Sequence, residues 1–219
     1  AVAGTHGKTT TSSMVAHILH DSGVNTMAFV GGILQNYGSN LILNDPEGDI
    51  PIVVVEADEF DRSFMQLVPN ISIVTTVDPD HLDIYDTVTE FNKTFEEFVH
   101  KTHDKGLLIY NKKSCNLNLS TVKSSKKSYG LDQGDAFSNN IRVVDGEQIF
   151  DHVGEEVITD IQLSLPGLHN VQNAVAAIEA CLKVGVSGKK IKEALATYKG
   201  VKRRFEYVIK NDDVIYIDD

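Results

Sequence analysis

The residues best placed to do chemistry stand close to the start of the chain, in the run Ala3-Gly4-Thr5-His6-Gly7-Lys8-Thr9-Thr10-Thr11. A glycine-rich turn closing on Gly7-Lys8-Thr9 suits a nucleoside triphosphate. Backbone N–H groups near Gly7 turn inward because glycine tolerates the dihedrals this requires. Together with the helix N-terminus that follows, they bind anionic oxygens. Lys8 would reach the β- and γ-phosphates, and the Thr9 hydroxyl would ligate Mg²⁺. The full phosphate-loop pattern is incomplete, since Val2 occupies the place of its first glycine. The alternative is an ordinary glycine-rich turn before a helix.

Acidic residues supply the second element of such a site. Ile52-Val53-Val54-Val55 runs into Glu56-Ala57-Asp58-Glu59. Successive β-branched residues predict a strand buried on both faces, as in a parallel sheet. An acid just past that strand sits where open α/β sheets bind ligands. Glu56 would then hold Mg²⁺ directly or through water, against the alternative of a solvated acidic cluster of Glu56, Asp58, Glu59 and Asp61. Ile71–Val77 repeats the design and leads into Asp78-Pro79-Asp80-His81-Leu82-Asp83. A histidine between carboxylates at a strand end is a metal or phosphate candidate, although a lone histidine is more often structural. Further along, Asn173 offers an amide to a base edge, and Asn170 is an expected N-cap. Lys202-Arg203-Arg204 places cations where an Arg would offset phosphoryl charge; a basic triplet is otherwise surface.

The elements that must position these residues follow from patterning. Met14, Val15, Ile18 and Leu19 mark an amphipathic helix that Gly23 ends. Thr26–Val30 is expected as a short strand that gives way at Gly31-Gly32 to a polar loop through Asn36 and Asn40. Thr89–Val99 carries Phe91, Phe95 and Phe98 at helical spacing, a core stripe, and Gly106–Tyr110 is a further strand. From Asn111 to Asp160 the texture changes to short strands such as Ile141–Val144 and Gln148–Phe150, with Asp145-Gly146 as a hairpin turn. This predicts an antiparallel subsheet, with Lys112, Lys113, Lys123, Lys126 and Lys127 solvated. An Ala-rich helix opens near Asn170 and runs to about Val184, and Ser187–Tyr198 is a second with Ile191, Ala194 and Leu195 inward. The expected fold is α/β: a mostly parallel, phosphate-loop-type sheet flanked by helices, with a smaller antiparallel subsheet.

Composition bounds the possibilities. The chain has 219 residues, 42% of them hydrophobic, which suffices for a real core. A formal net charge of −11 argues against a nucleic-acid binder, whose footprint is a basic surface. Cys115 and Cys181 are the only cysteines and suggest neither a disulfide framework nor a metal site. With no apolar run long enough to span a bilayer and no signal peptide, a reducing, cytoplasmic setting is expected. The ends look cut: Ala1-Val2-Ala3 is a stub of strand, and Val214–Asp219 reads as a strand whose continuation is missing.

Taken together, the motifs resemble the central ATPase domain of the Mur ligase family. The resemblance spans nearly the whole chain. It rests on Gly4-Thr5-His6-Gly7-Lys8-Thr9-Thr10, Glu56-Ala57-Asp58-Glu59, Asp80-His81-Leu82-Asp83, His169-Asn170-Val171-Gln172-Asn173-Ala174 and Lys202-Arg203-Arg204-Phe205, in that order. It implies a domain over residues 1–217, with 218–219 opening the junction to a C-terminal domain, and a UDP-binding domain on the N-terminal side. It also implies an ATP- and Mg²⁺-dependent ligase forming an amide through an acyl phosphate. The Lys-Arg-Arg-Phe form most resembles the branch that joins UDP-N-acetylmuramate to L-alanine. The murein peptide branch typically carries an extra Lys-Arg-Ser-Lys stretch where Glu59-Phe60-Asp61-Arg62-Ser63 passes straight on. Folylpolyglutamate synthases usually have Asn in place of His6 and lack the Arg203-Arg204 context. A switch or motor ATPase usually has Asp in place of Glu56.

Residue by residue, the resemblance implies nucleotide contacts for Gly4, Thr5, His6, Gly7, Lys8, Thr9 and Thr10. It puts Asn170 and Asn173 at the adenine, Arg204 at the γ-phosphate, and Asp219 at the ribose or the domain junction. Thr9 and Glu56 would hold one Mg²⁺ and His81 a second metal position, with Lys8, Glu56, His81 and Arg204 in the catalytic set. Two departures stand out. Many relatives carry a carbamylated lysine where this chain has Glu96, with Lys93 the nearest lysine, and no carbamate is assigned. Thr76 stands where many have Asn.

Overall fold

A computed structural model describes the chain apart from residues 61, 79–84, 86, 205, 211–213 and 219; of 206–210, 215 and 217 only the backbone is described. The strands and helices are β1 (Val2–Ala3), α1 (Lys8–Asp21), β2 (Thr26–Leu34), β3 (Ser39–Ile42), β4 (Ile52–Val55), β5 (Ile71–Val74), α2 (Val88–His100), β6 (Leu107–Asn111), β7 (Ser125–Gly130), β8 (Ala136–Val144), β9 (Glu147–Val153), β10 (Ile158–Leu163), α3 (Leu168–Val184), α4 (Gly188–Thr197), β11 (Glu206–Lys210) and β12 (Ile215–Asp218).

Seven strands pair in the order β1-β5-β6-β7-β8-β9-β10, and a second sheet has the order β3-β2-β4. A parallel bridge between Val2 and Glu56, with Ala57 N–H donating to Val2 O at 2.8 Å, sets β4 beside β1. β1, β5, β6 and β7 are parallel, as are β2 and β4. Successive strand residues face opposite sides, and the sheet therefore feeds two cores. Val2, Ile73 and Ile109 join a core with α1, α3 and α4, while Ala3, Val74 and Leu108 join another with α2. In α2, Phe91, Phe95 and Phe98 are buried as the spacing predicts, and Thr87 caps the helix by accepting from Glu90 N–H. The centre of α3 is buried all round, which suits its small side chains at the contact with α1.

Several expectations need correction. β2 does not stop at Val30; it continues through Gly31-Gly32 to Leu34, and Ser39–Ile42 pairs back on it. β4 is not buried on both faces: Ile52 and Val53 are exposed and only Val54 is fully covered, because its neighbour β1 pairs with it only beyond its end, at Glu56. β5 ends at Val74 rather than Val77. The expected antiparallel subsheet is present, but it begins later than the change of texture at Asn111. β7 is parallel to β6, β8 begins parallel to β7, and only β8, β9 and β10 are antiparallel, extending the same sheet. The Asp145-Gly146 hairpin holds, with both residues at positive φ. Lys127 is not solvated: its side chain is 16% exposed and paired to buried Glu179.

Candidate functional site

Parallel β1, β4 and β5 end on one side, and the loop from Gly4 to Gly7 leaves β1 there. The segment after β5 ties that loop down. Thr5 N–H donates to Thr76 O at 2.9 Å, the Thr5 and Thr76 hydroxyls lie 2.7 Å apart, and His6 N–H donates to Thr76 Oγ1 at 3.0 Å. Nothing in the sequence marked Thr76 for this work, since its partners lie about seventy positions away. Gly7 adopts φ 84° as the residue before α1. A Cβ there would stand 2.8 Å from Asn173 Oδ1, so the turn closes only around glycine. In α1 the Thr11 N–H bonds back to Gly7 O, and no acidic residue occupies the first turn. The helix start thus offers N–H groups and positive dipole to an anion.

Glu56, just past β4, accepts from the Thr9 hydroxyl at 2.9 Å through one oxygen and from Gly31 N–H at 2.6 Å through the other. Thr9 and Glu56, expected at one Mg²⁺ position, lie within hydrogen-bond reach of each other. These hard oxygen donors suit Mg²⁺. Among the described residues, no three His, Cys, Asp or Glu side chains gather into a metal-holding cluster. Lys8 points to the acidic run, its Nζ donating to Glu59 Oε2 at 2.7 Å and lying 4.0 Å from Asp58. Glu59 has no solvent exposure, whereas the Asp58 side chain is 59% exposed and Asp61 lies outside the described residues, so of the acidic run it is Glu59 that departs from a solvated cluster.

These groups border a cleft of about 760 Å³. Thr5, His6, Gly7, Lys8, Thr9 and Thr10 line one side, Gly31, Glu56, Asp58 and Phe60 another, and His169, Asn170, Asn173 and Arg204 complete it. Gly4 does not line it and instead packs against Thr75 and Thr76. Asn170 is not the N-cap; that place belongs to Gly167, and buried Asn170 donates its amide to Pro166 O at 2.6 Å from inside the first turn. Arg203 lies near Asp218 whereas Arg204 faces the cleft. His81 and Asp219 lie outside the described residues, as do Asp80 and Asp83. Glu96 accepts from Asn118 N–H, and Lys93 is exposed. Thr76, Gly31, Phe60 and His169 are site residues that carried no role in the sequence.

A family model described as the Mur ligase middle domain matches residues 2–181. The chain belongs to the Mur ligase family. Of the curated relatives of this Mur ligase domain, a UDP-N-acetylmuramate–L-alanine ligase from Parabacteroides distasonis is 45% identical over the whole chain and 47% of its own length. The chain thus spans about half the length of the curated relatives it matches. A UDP-N-acetylmuramate–alanine ligase from Thermotoga maritima superposes with a TM-score of 0.85 at 28% identity, over 100% of this chain and 49% of that one. A UDP-N-acetylmuramate:L-alanyl-gamma-D-glutamyl-meso-diaminopimelate ligase from Neisseria meningitides gives 0.81 at 30% identity, over 92% and 66%. Among the described residues, no helix is long and apolar enough to cross a membrane.

Proposed function

We propose that this chain is the ATP-binding domain of a ligase that joins UDP-N-acetylmuramate to L-alanine in peptidoglycan precursor synthesis. The observation that carries this is the convergence of Lys8, the Thr9–Glu56 oxygen pair and Arg204 on one cleft at the start of α1. The alanine branch is favoured over the murein peptide branch by the 45% identical relative and by the uninterrupted Glu59–Ser63 stretch.

The residues present fit ATP and Mg²⁺. Gly7 permits a turn that a Cβ would block by running into Asn173, and the cleft offers oxygen ligands beside cations. Thr9 and Glu56 would hold the metal, Lys8 and Arg204 would offset phosphate charge, and Asn170 and Asn173 would meet the base. Bound ATP supplies its γ-phosphoryl group to the substrate carboxylate with departure of ADP, and the amine of L-alanine then displaces phosphate. The protein's own part is positioning and electrostatic stabilisation. His81 as a second metal position, Asp219 at the ribose, residues 1–217 as the domain, and flanking domains of the same chain that recognise UDP and the amino acid belong to the same proposal, as does a cytoplasmic setting.

The test is product analysis with the full-length protein. ADP formation strictly dependent on both UDP-N-acetylmuramate and L-alanine is expected. Turnover with a tripeptide in place of L-alanine would assign the murein peptide branch, and ADP release without the acid substrate would assign an ATPase outside the ligases.

A further inference from the structure

Lys8 has a partner that neither the phosphate loop nor the metal pair requires. Glu59 is fully buried, and its Oε2 accepts from Lys8 Nζ at 2.7 Å. Its Oε1 makes no hydrogen bond among the described residues. The main chain at Glu59 is held from two sides, since its carbonyl accepts from Tyr85 O–H at 2.5 Å and from Arg62 N–H at 3.1 Å. Burial pushes the Tyr85 phenol up, so that O–H stays available as a donor. Glu59 does not line the cleft, whereas Lys8 does.

A carboxylate taken out of water is costly, and stripping it of its cation costs more than the pair contributes. Lys8 therefore cannot swing away to follow a ligand without leaving an uncompensated charge in the interior. An ammonium has three N–H donors, and Glu59 engages one. We propose that Glu59 is a positioning residue: it anchors Lys8 before nucleotide arrives, aims the remaining N–H groups at the phosphate cleft, and keeps its hold when the polyphosphate binds. This rests on reading the Gly4–Thr10 loop as the ATP site. Glu59 acts through Lys8 and touches no substrate.

The test uses the full-length protein without Mg²⁺, nucleotide or acid substrate, so its outcome is separate from that of the ligase assay. Thermal melts are recorded for Lys8→Met, Glu59→Gln and the double variant. Lys8→Met is expected to lower Tm by leaving Glu59 charged and unpaired, and adding Glu59→Gln is expected to restore most of the loss. Calorimetric titration with inorganic tripolyphosphate follows. Glu59→Gln keeps an acceptor for Lys8 and should bind within about threefold of the parent, whereas Glu59→Ala frees the lysine and should bind about tenfold more weakly, the scale of one charged hydrogen bond. Strictly additive melting shifts, or tripolyphosphate affinity unchanged in Glu59→Ala, would overturn the proposal. If Glu59→Ala does not fold, the melting cycle decides alone.

Discussion

Gly31 shows how one missing methyl group can serve a site. Its N–H donates to Glu56 Oε2, and a Cβ built on it would stand 2.6 Å from that same oxygen. Gly31→Ala should push the carboxylate off Thr9 while leaving β2 paired. The expected result in the full-length enzyme is a loss of about tenfold or more in turnover, larger at low Mg²⁺, with unchanged circular dichroism. Turnover and Mg²⁺ dependence like the parent's would separate Glu56 from the metal. Lys8→Ala should abolish detectable ADP release. Lys8, Thr9 and Glu56 were legible in the sequence because each carries its chemistry in its own side chain and sits at a strand end or helix start. Gly31, Thr76 and Glu59 were not. A glycine that makes room, a threonine that tethers a loop and an acid that is buried look, as residue types, like any others, and their partners are 25, about 70 and 51 positions away.

At the scale of elements, α1 must be held firmly, since it carries Lys8 and Thr9. Buried His17 does this. Its Nε2 lies 2.9 Å from Ala194 O in α4, and Nδ1 lies 2.8 Å from the Tyr37 hydroxyl at the turn after β2. A carbonyl only accepts, so Nε2 carries the proton, and Nδ1 accepts from the phenol, which burial holds protonated with its pKa pushed up to about 12. Burial also lowers the His17 pKa, against the opposing pull of the Ala194 carbonyl and Asp21. With the folded pKa depressed, the unfolded chain binds the proton first. This contribution to stability is therefore complete above the unfolded value of 6.5 and is lost as pH falls through the lower folded value. Denaturant titrations between pH 7.5 and about 5 should show stability falling, and His17→Gln should flatten that slope; an identical slope would assign it elsewhere. Lys127 teaches the complementary lesson. Burial works to lower its pKa, yet the hydrogen bond and charge of Glu179 outweigh this and raise it. Lys127→Met, which leaves buried Glu179 near His152 alone, should cost about 3 kcal/mol, read from chemical unfolding. Helix α2 was legible because an aromatic stripe repeats locally, whereas Lys127 sat in a lysine-rich stretch and its partner lies 52 positions on.

The whole molecule divides its labour along one sheet. The cleft draws on the loop after β1, α1, β2, the segment after β4, α3 and Arg204, while β8, β9 and β10 extend the far edge away from β1. The alternation of apolar runs made a parallel sheet legible, but strand order was not: nothing local tells β1 to sit between β4 and β5, or β8 to continue β7, because pairing is decided by which faces the helices cover. That geometry predicts where ligand binding is felt. The loop, Gly31, Glu56 and the start of α3 come from separate segments that converge at the cleft, held there by Thr5–Thr76, Glu56–Gly31 and the Gly7–Asn173 approach. A triphosphate bridging them adds contacts across all of these segments and suppresses their local openings, which hydrogen exchange reads. With a non-hydrolysable ATP analogue and Mg²⁺, amides of residues 5–10, 31, 56–60 and 169–173 should exchange more slowly, while those of β8–β10 should exchange at unchanged rates. Protection concentrated in β8–β10 would place the nucleotide at the opposite edge of the sheet from Lys8, and protection spread evenly over the chain would mean global stabilisation in place of a ligand held at this cleft.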